Sequence, residues 1–181
     1  MKNFVAILRG INVSGQKLIK MTELKKMFES LRFEDVNTYI QSGNIAFKTV
    51  PESAESLQDR IHESIQNTFH FDVPVTVLDE REIRDTQNGN PFLKERKEDG
   101  SKLYVTFLEK EPDEDLVKSL RATALFLPDE WVLSGRKVYV FCPEGYGKTK
   151  LNNNFFEKKL KVTATTRNWA TVNALAELVG K

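Results

Sequence analysis

A chain of 181 residues has room for one large domain or two small ones, and 40% hydrophobic with 29% charged residues supplies a core and excludes a disordered class. The formal net charge of +1 provides no global field for nucleic acid, so only a local basic patch can serve that end. Cys142 is the only cysteine, which excludes an internal disulfide and every multi-cysteine metal site and fits a reducing cytosol.

Phe4 to Leu8 is a short apolar run that reads as a buried strand, followed by a long polar loop from Arg9 to Lys20. The apolar stretch stops at Arg9, too short for a signal-peptide core, and no segment approaches transmembrane length, so the expected setting is cytoplasmic with no membrane partner. Thr22 is the expected cap of a helix striped by Leu24, Met27, Phe28 and Leu31. Val36 to Gln41 and Asn44 to Lys48 flank Ser42-Gly43 and predict a hairpin on a two-residue turn. Pro51 is expected to open a helix carrying Leu57, Ile61, Ile65 and Phe69, and Val73 to Leu78 a further strand.

Residues 80–101 break the pattern and read as a connector with a short helix and a charged loop, separating half one (1–79) from half two (102–181). The second half repeats the order: a strand at Leu103 to Leu108 and a helix capped by Asp113. A second Ser-Gly hairpin follows at Ser134-Gly135, then a helix from Asn152 to Leu160 and a short strand near Val162 to Ala164. A last helix carries Trp169, Val172, Leu175, Ala176 and Val179, with Gly180 as its stop. The fold class is therefore α+β: two tandem ferredoxin-like β-α-β-β-α-β halves, expected to pack together, plus a C-terminal helix.

In that topology the exit of strand one and the turn between strands two and three share an edge. Arg9, Asn12, Gln41, Ser42 and Asn44 are then expected on one rim. In the second half the same bookkeeping brings Lys148 and Lys150 towards Arg167 and Asn168, next to helix starts whose free N–H groups favour anions. Gly147-Lys148-Thr149 fails as a phosphate-binding P-loop, because Cys142 stands where that motif needs a glycine. A serine–histidine–acid triad is disfavoured, since both histidines, His62 and His70, lie away from these motifs. Cys142, at a strand end, reads as an inert core residue. Phe155, Phe156 and Trp169 suggest base stacking on RNA, but their spacing is that of a core and the strand Leu103 to Leu108 lacks the aromatic pattern of RNA-recognition modules.

Four stretches, Ala6-Ile7-Leu8-Arg9-Gly10-Ile11-Asn12-Val13, Thr38-Tyr39-Ile40-Gln41-Ser42-Gly43-Asn44, Asn90-Pro91-Phe92 and Thr166-Arg167-Asn168-Trp169, span nearly the whole chain. Through them it resembles a widespread, mostly bacterial family known as domain of unknown function number sixteen ninety-seven. The resemblance implies a paired ferredoxin-like architecture and brings no substrate, cofactor or catalytic residue. The leading expectation is a small protein, without a cofactor, that binds an anionic ligand such as a nucleotide or phosphorylated metabolite in a groove between the halves, with RNA a weaker partner. The alternatives are an enzyme using the same groove with an acid such as Glu144, and an interaction or structural protein whose polar motifs only brace loops.

Overall fold

The computed structural model describes residues 1–123 and 126–179, and Gly180, the expected helix stop, lies outside them. Two units divide the chain: Met1–Asp85 with the segment from Asn173 onward, and Thr86–Val172. The first unit contains β1 (Lys2–Leu8), α1 (Met21–Ser30), β2 (Glu34–Tyr39), β3 (Asn44–Thr49), α2 (Ala54–Phe69) and β4 (Val75–Asp79). Its antiparallel sheet has the order β2-β3-β1-β4, which is the ferredoxin-like order. After α3 (Glu80–Asn88) and α4 (Pro91–Arg96) come β5 (Leu103–Leu108), α5 (Glu114–Thr123), β6 (Glu130–Ser134), β7 (Lys137–Phe141), α6 (Asn153–Leu160), β8 (Ala164–Asn168) and α7 (Trp169–Leu178). The order β6-β7-β5-β8 repeats the first sheet.

Alternation along the strands builds each core. Phe4 and Ala6 of β1 pair with Phe47 and Ile45 of β3, Leu8 pairs with Val75 of β4, and their shared face meets Leu24, Met27 and Phe28 of α1 and Leu57, Ile61 and Ile65 of α2. Phe4, Phe28, Phe33 and Phe47 touch ring to ring, with centroids 4.5 to 5.8 Å apart. In the second unit Leu108, Val138, Val140 and Ala164 meet Leu120, Phe156 and Leu160.

Several local expectations need correction. α1 begins at Met21 on Lys20, with no side-chain cap, so Thr22 sits inside the first turn instead of capping it. Ser53, not Pro51, caps α2, its hydroxyl accepting from Ser56 N–H. The first hairpin closes at the Tyr39–Asn44 pair, leaving residues 40–43 as a four-residue turn; the second, closing at Ser134–Lys137, has the two-residue form on Gly135-Arg136. β8 lies further along than expected: Thr165 to Asn168 form an edge strand, because two consecutive threonines favour extended backbone.

Both units protect the last edge strand in the same way. Gln58 of α2 is buried, and its Oε1 accepts the β4 amide of Val77 at 3.0 Å; Glu157 of α6 accepts the β8 amide of Ala164 at 3.0 Å. A side chain from the preceding helix thus occupies an edge amide that would otherwise seek another strand. Gln58→Leu removes that acceptor from a buried amide and is expected to cost roughly 1–3 kcal/mol. The check is a lowered urea midpoint at an unchanged m-value; an unchanged midpoint would show that Gln58 carries none of the edge's stability.

Candidate functional site

β1 ends at Leu8, and the chain then folds into a loop with an unusual density of left-handed residues: Asn12 (φ 54°), Ser14 (φ 49°), Gly15 (φ 74°) and Lys17 (φ 44°). Such conformations are costly outside glycine and persist only when surrounding contacts dictate them. Asn12 supplies those contacts. Its Nδ2 donates to the carbonyls of Ile19 at 2.9 Å and Gln41 at 2.8 Å, and its Oδ1 accepts from Ile19 N–H at 2.8 Å. One carboxamide therefore closes the loop on itself and ties it to the β2–β3 turn. Asn12 N–H also donates to the Lys17 carbonyl at 3.2 Å, and Lys17 Nζ reaches the carbonyl of Asp72.

The turn is built to receive this loop. Asn44 is buried, and its Nδ2 donates to the Tyr39 carbonyl at 3.2 Å and to Ser42 Oγ at 2.8 Å, closing residues 40–43 from inside. Leu8 N–H donates to the Gly43 carbonyl at 2.8 Å, and buried Ile11 packs on Gly43. A Cβ at Gly43 would stand 2.6 Å from Leu8 Cβ, and φ there is +74°, so the motif needs glycine on both counts.

Asn12 and Gln41 share a recess of about 640 Å³ with Leu18, Ile19, Lys20, Met21, Thr22 and Glu23. Its wall is mostly apolar, and its charges are Lys20 and Glu23. The start of α1 forms one side, where the Met21 and Thr22 amides precede the first helical bonds, made by Glu23 and Leu24 to the Lys20 carbonyl. Lys20 to Glu23 were missed from sequence because a helix stripe marks its core face, and the recess is lined by the first turn on the other side. Ser42 and Asn44 are committed to the turn, and Arg9, whose N–H donates to the Pro74 carbonyl at 3.0 Å, is half-buried and does not line the recess.

In the second unit the loop and strand expected to converge do so, through Tyr146 rather than through the cations. Tyr146 O–H donates to Thr166 Oγ1 at 3.0 Å, and Thr166 donates to Asn153 Oδ1 at 2.7 Å. Since a hydroxyl has one proton, Thr106, 2.7 Å from Thr166 Oγ1, must donate to it as well. Lys148 and Lys150 line a separate recess of about 320 Å³ with Phe126, Leu127, Pro128, Asp129 and Glu144. Lys148 Nζ lies 3.8 Å from Glu144, both well exposed, so the lysines face carboxylates there. Neither Arg167 nor Asn168 lines it: Asn168 Oδ1 caps α7 by accepting from Thr171 N–H at 2.8 Å, and Arg167 Nη1 donates to the Thr166 carbonyl at 2.9 Å. Burial lowers the Arg167 pKa to about 10, which leaves it charged at neutral pH.

The remaining chemically active residues lie apart. Cys142 is buried, and desolvation pushes its thiol up to about 11, against the pull of a Thr149 hydrogen bond. His62 Nε2 is 2.8 Å from Asp72, whose carboxyl it holds below the usual range, and His70 ends α2 in the left-handed conformation. Phe156 and Trp169 are buried, and Phe155 packs edge-on against Phe126 and Phe156. Among the described residues no group of three histidine, cysteine or acidic side chains is placed to hold a metal, and no helix is long and apolar enough to cross a membrane.

Fold and topology define the class: a tandem ferredoxin-like α+β protein with an added C-terminal helix. The chain belongs to the family described as "Protein of unknown function (DUF1697)", whose model matches residues 1–139, a span that holds the Asn12 loop, the Gln41 turn and Asn90-Pro91-Phe92. Among solved structures it is similar to that of the conserved bacterial protein SP0830 from Streptococcus pneumoniae, at 22% identity and TM-score 0.76, over 98% of each chain. No curated protein matches the chain.

Asn12→Ala leaves the Ile19 amide and two carbonyls without their side-chain partner and is expected to cost roughly 1–3 kcal/mol. The change is read as a lower urea midpoint together with faster hydrogen exchange over residues 12–19. Wild-type exchange in that loop would show that Asn12 does not hold it.

Proposed function

We propose that this is a non-catalytic binding protein that takes a small anionic ligand in the recess at the tip of its first unit. The observation that carries the reading is the recess itself: about 640 Å³, within the range of small-molecule sites, rigidly framed by the Asn12 carboxamide, with Lys20 and the open start of α1 on its wall. The bracing residues and the binding residues divide the motif between them. Asn12, Ser42 and Asn44 hold the loops, and Lys20, Gln41 and the apolar wall meet the ligand.

An enzymatic reading finds less support, since Glu144 is exposed beside Lys148, the Cys142 thiol is buried and protonated, and neither histidine lines the recess. A cytoplasmic setting is part of the proposal, supported by the lone, buried cysteine. RNA is disfavoured by the buried aromatics.

The test is a thermal-shift panel of carboxylates, phosphate esters and nucleotides. A ligand at about a hundred times its Kd stabilises the fold by about 2.7 kcal/mol, several degrees for a chain of this size. The shift is expected to vanish in Lys20→Glu and weaken in Gln41→Ala, and to survive in Lys148→Ala and Lys150→Ala. A ligand recovered unchanged after incubation supports binding over turnover. No shift with any anion, or a shift lost only in the lysine variants of the second unit, would overturn the proposal.

A further inference from the structure

Three large apolar side chains at the tip of the first unit stand in solvent: Leu18 is 68% exposed, Val13 55% and Ile40 53%. Ile40 has φ 49°, a conformation that a β-branched residue tolerates poorly, and its exposure returns no burial in compensation. Asparagine or glycine would suit that turn better on conformational grounds alone. The backbone on each side of it is nonetheless pinned, by Asn44 Nδ2 on the Tyr39 carbonyl and Asn12 Nδ2 on the Gln41 carbonyl. Val13 and Leu18 are displayed with similar firmness. A two-residue turn at Ser14-Gly15 pairs Val13 with Gln16, and the Asn12–Ile19 bonds fix the other end. Fixed strain combined with exposed apolar surface marks an interaction site, because neither contributes to stability.

Of the three, Leu18 lines the recess, which gives it an occupant. Leu18, Ile19 and Met21 form its apolar wall, Lys20 is its one cation and Glu23 its one anion. With formal charges that cancel, the site gives no advantage to a polyanion, whose further negative charges would meet Glu23. A single acid group at Lys20 satisfies the cation, and an apolar group covers Leu18.

Resting on the reading that this recess binds an anion, we propose that its ligand is a monoacid bearing an apolar chain or ring, and that Leu18 is the residue that selects for the apolar part. The acid sets the position at Lys20, and the apolar group takes Leu18 and the exposed part of Met21 out of water.

The probes are the straight-chain carboxylates from acetate to octanoate, with the alcohols of equal length and inorganic phosphate as controls, measured by calorimetry on the full chain. Each methylene that reaches the wall is expected to tighten binding about fourfold. Leu18→Ser is expected to flatten that dependence, and Lys20→Glu to abolish binding at every length. Phosphate or a nucleotide binding in the recess with no chain-length dependence among the carboxylates would overturn this inference and leave the anion site standing. Alcohols binding as tightly as the acids would overturn it too, and binding by no anion would remove both readings.

Discussion

The architecture of the tip depends on one carboxamide. Asn12 gives both Nδ2 protons to carbonyls on different segments, Ile19 and Gln41, while Oδ1 takes the Ile19 amide. That side chain joins the β1 exit, the approach to α1 and the β2–β3 turn. The fit also requires that Ile11 come down on Gly43, where any Cβ would meet Leu8. Ile11, Asn12 and Gly43 are therefore one solution to one packing problem, and the recess beside them follows from it.

The two units share a construction and differ at their loops. Each has the same strand order, and each covers the last edge strand with a polar side chain of the preceding helix, Gln58 or Glu157. Where the first unit ties its tip with a carboxamide to backbone, the second ties its loop with hydroxyls, Tyr146 and Thr106 both donating to Thr166. The first arrangement leaves a large, mostly apolar recess next to the tie. Duplicated scaffolds commonly diverge in this manner, with sheets conserving the packing and loops carrying the difference.

Hydrophobic periodicity made the architecture readable from sequence, because each strand alternates over one core and each helix carries one stripe. The failures lie where a polar contact across the fold decides. Thr22 looks like a cap, yet α1 starts two residues earlier than that cap allows, on Lys20, whose side chain makes no capping bond. Nothing local in Tyr39-Ile40-Gln41 announces a left-handed isoleucine, since that conformation is imposed by Asn44 and Asn12 from either side. Thr165 to Asn168 read as loop because they are polar, while β5 recruits them as its neighbour. Of the candidate site residues, Asn12 and Gln41 meet at one recess and Lys148 and Lys150 at another, whereas Asn168 caps a helix. Lys20, which gives the first recess its cation, carried no signal beyond its place at the end of a long loop.

The central claim is that the tip is a preformed site, rigid before any ligand arrives. Residue-resolved hydrogen exchange of the unliganded protein tests it most directly, at the Ile19 amide held by Asn12 Oδ1. Protection approaching that of the β1 core amides is the predicted result. Exchange at the rate of an open loop would contradict the account, since the recess would then exist only when something fills it.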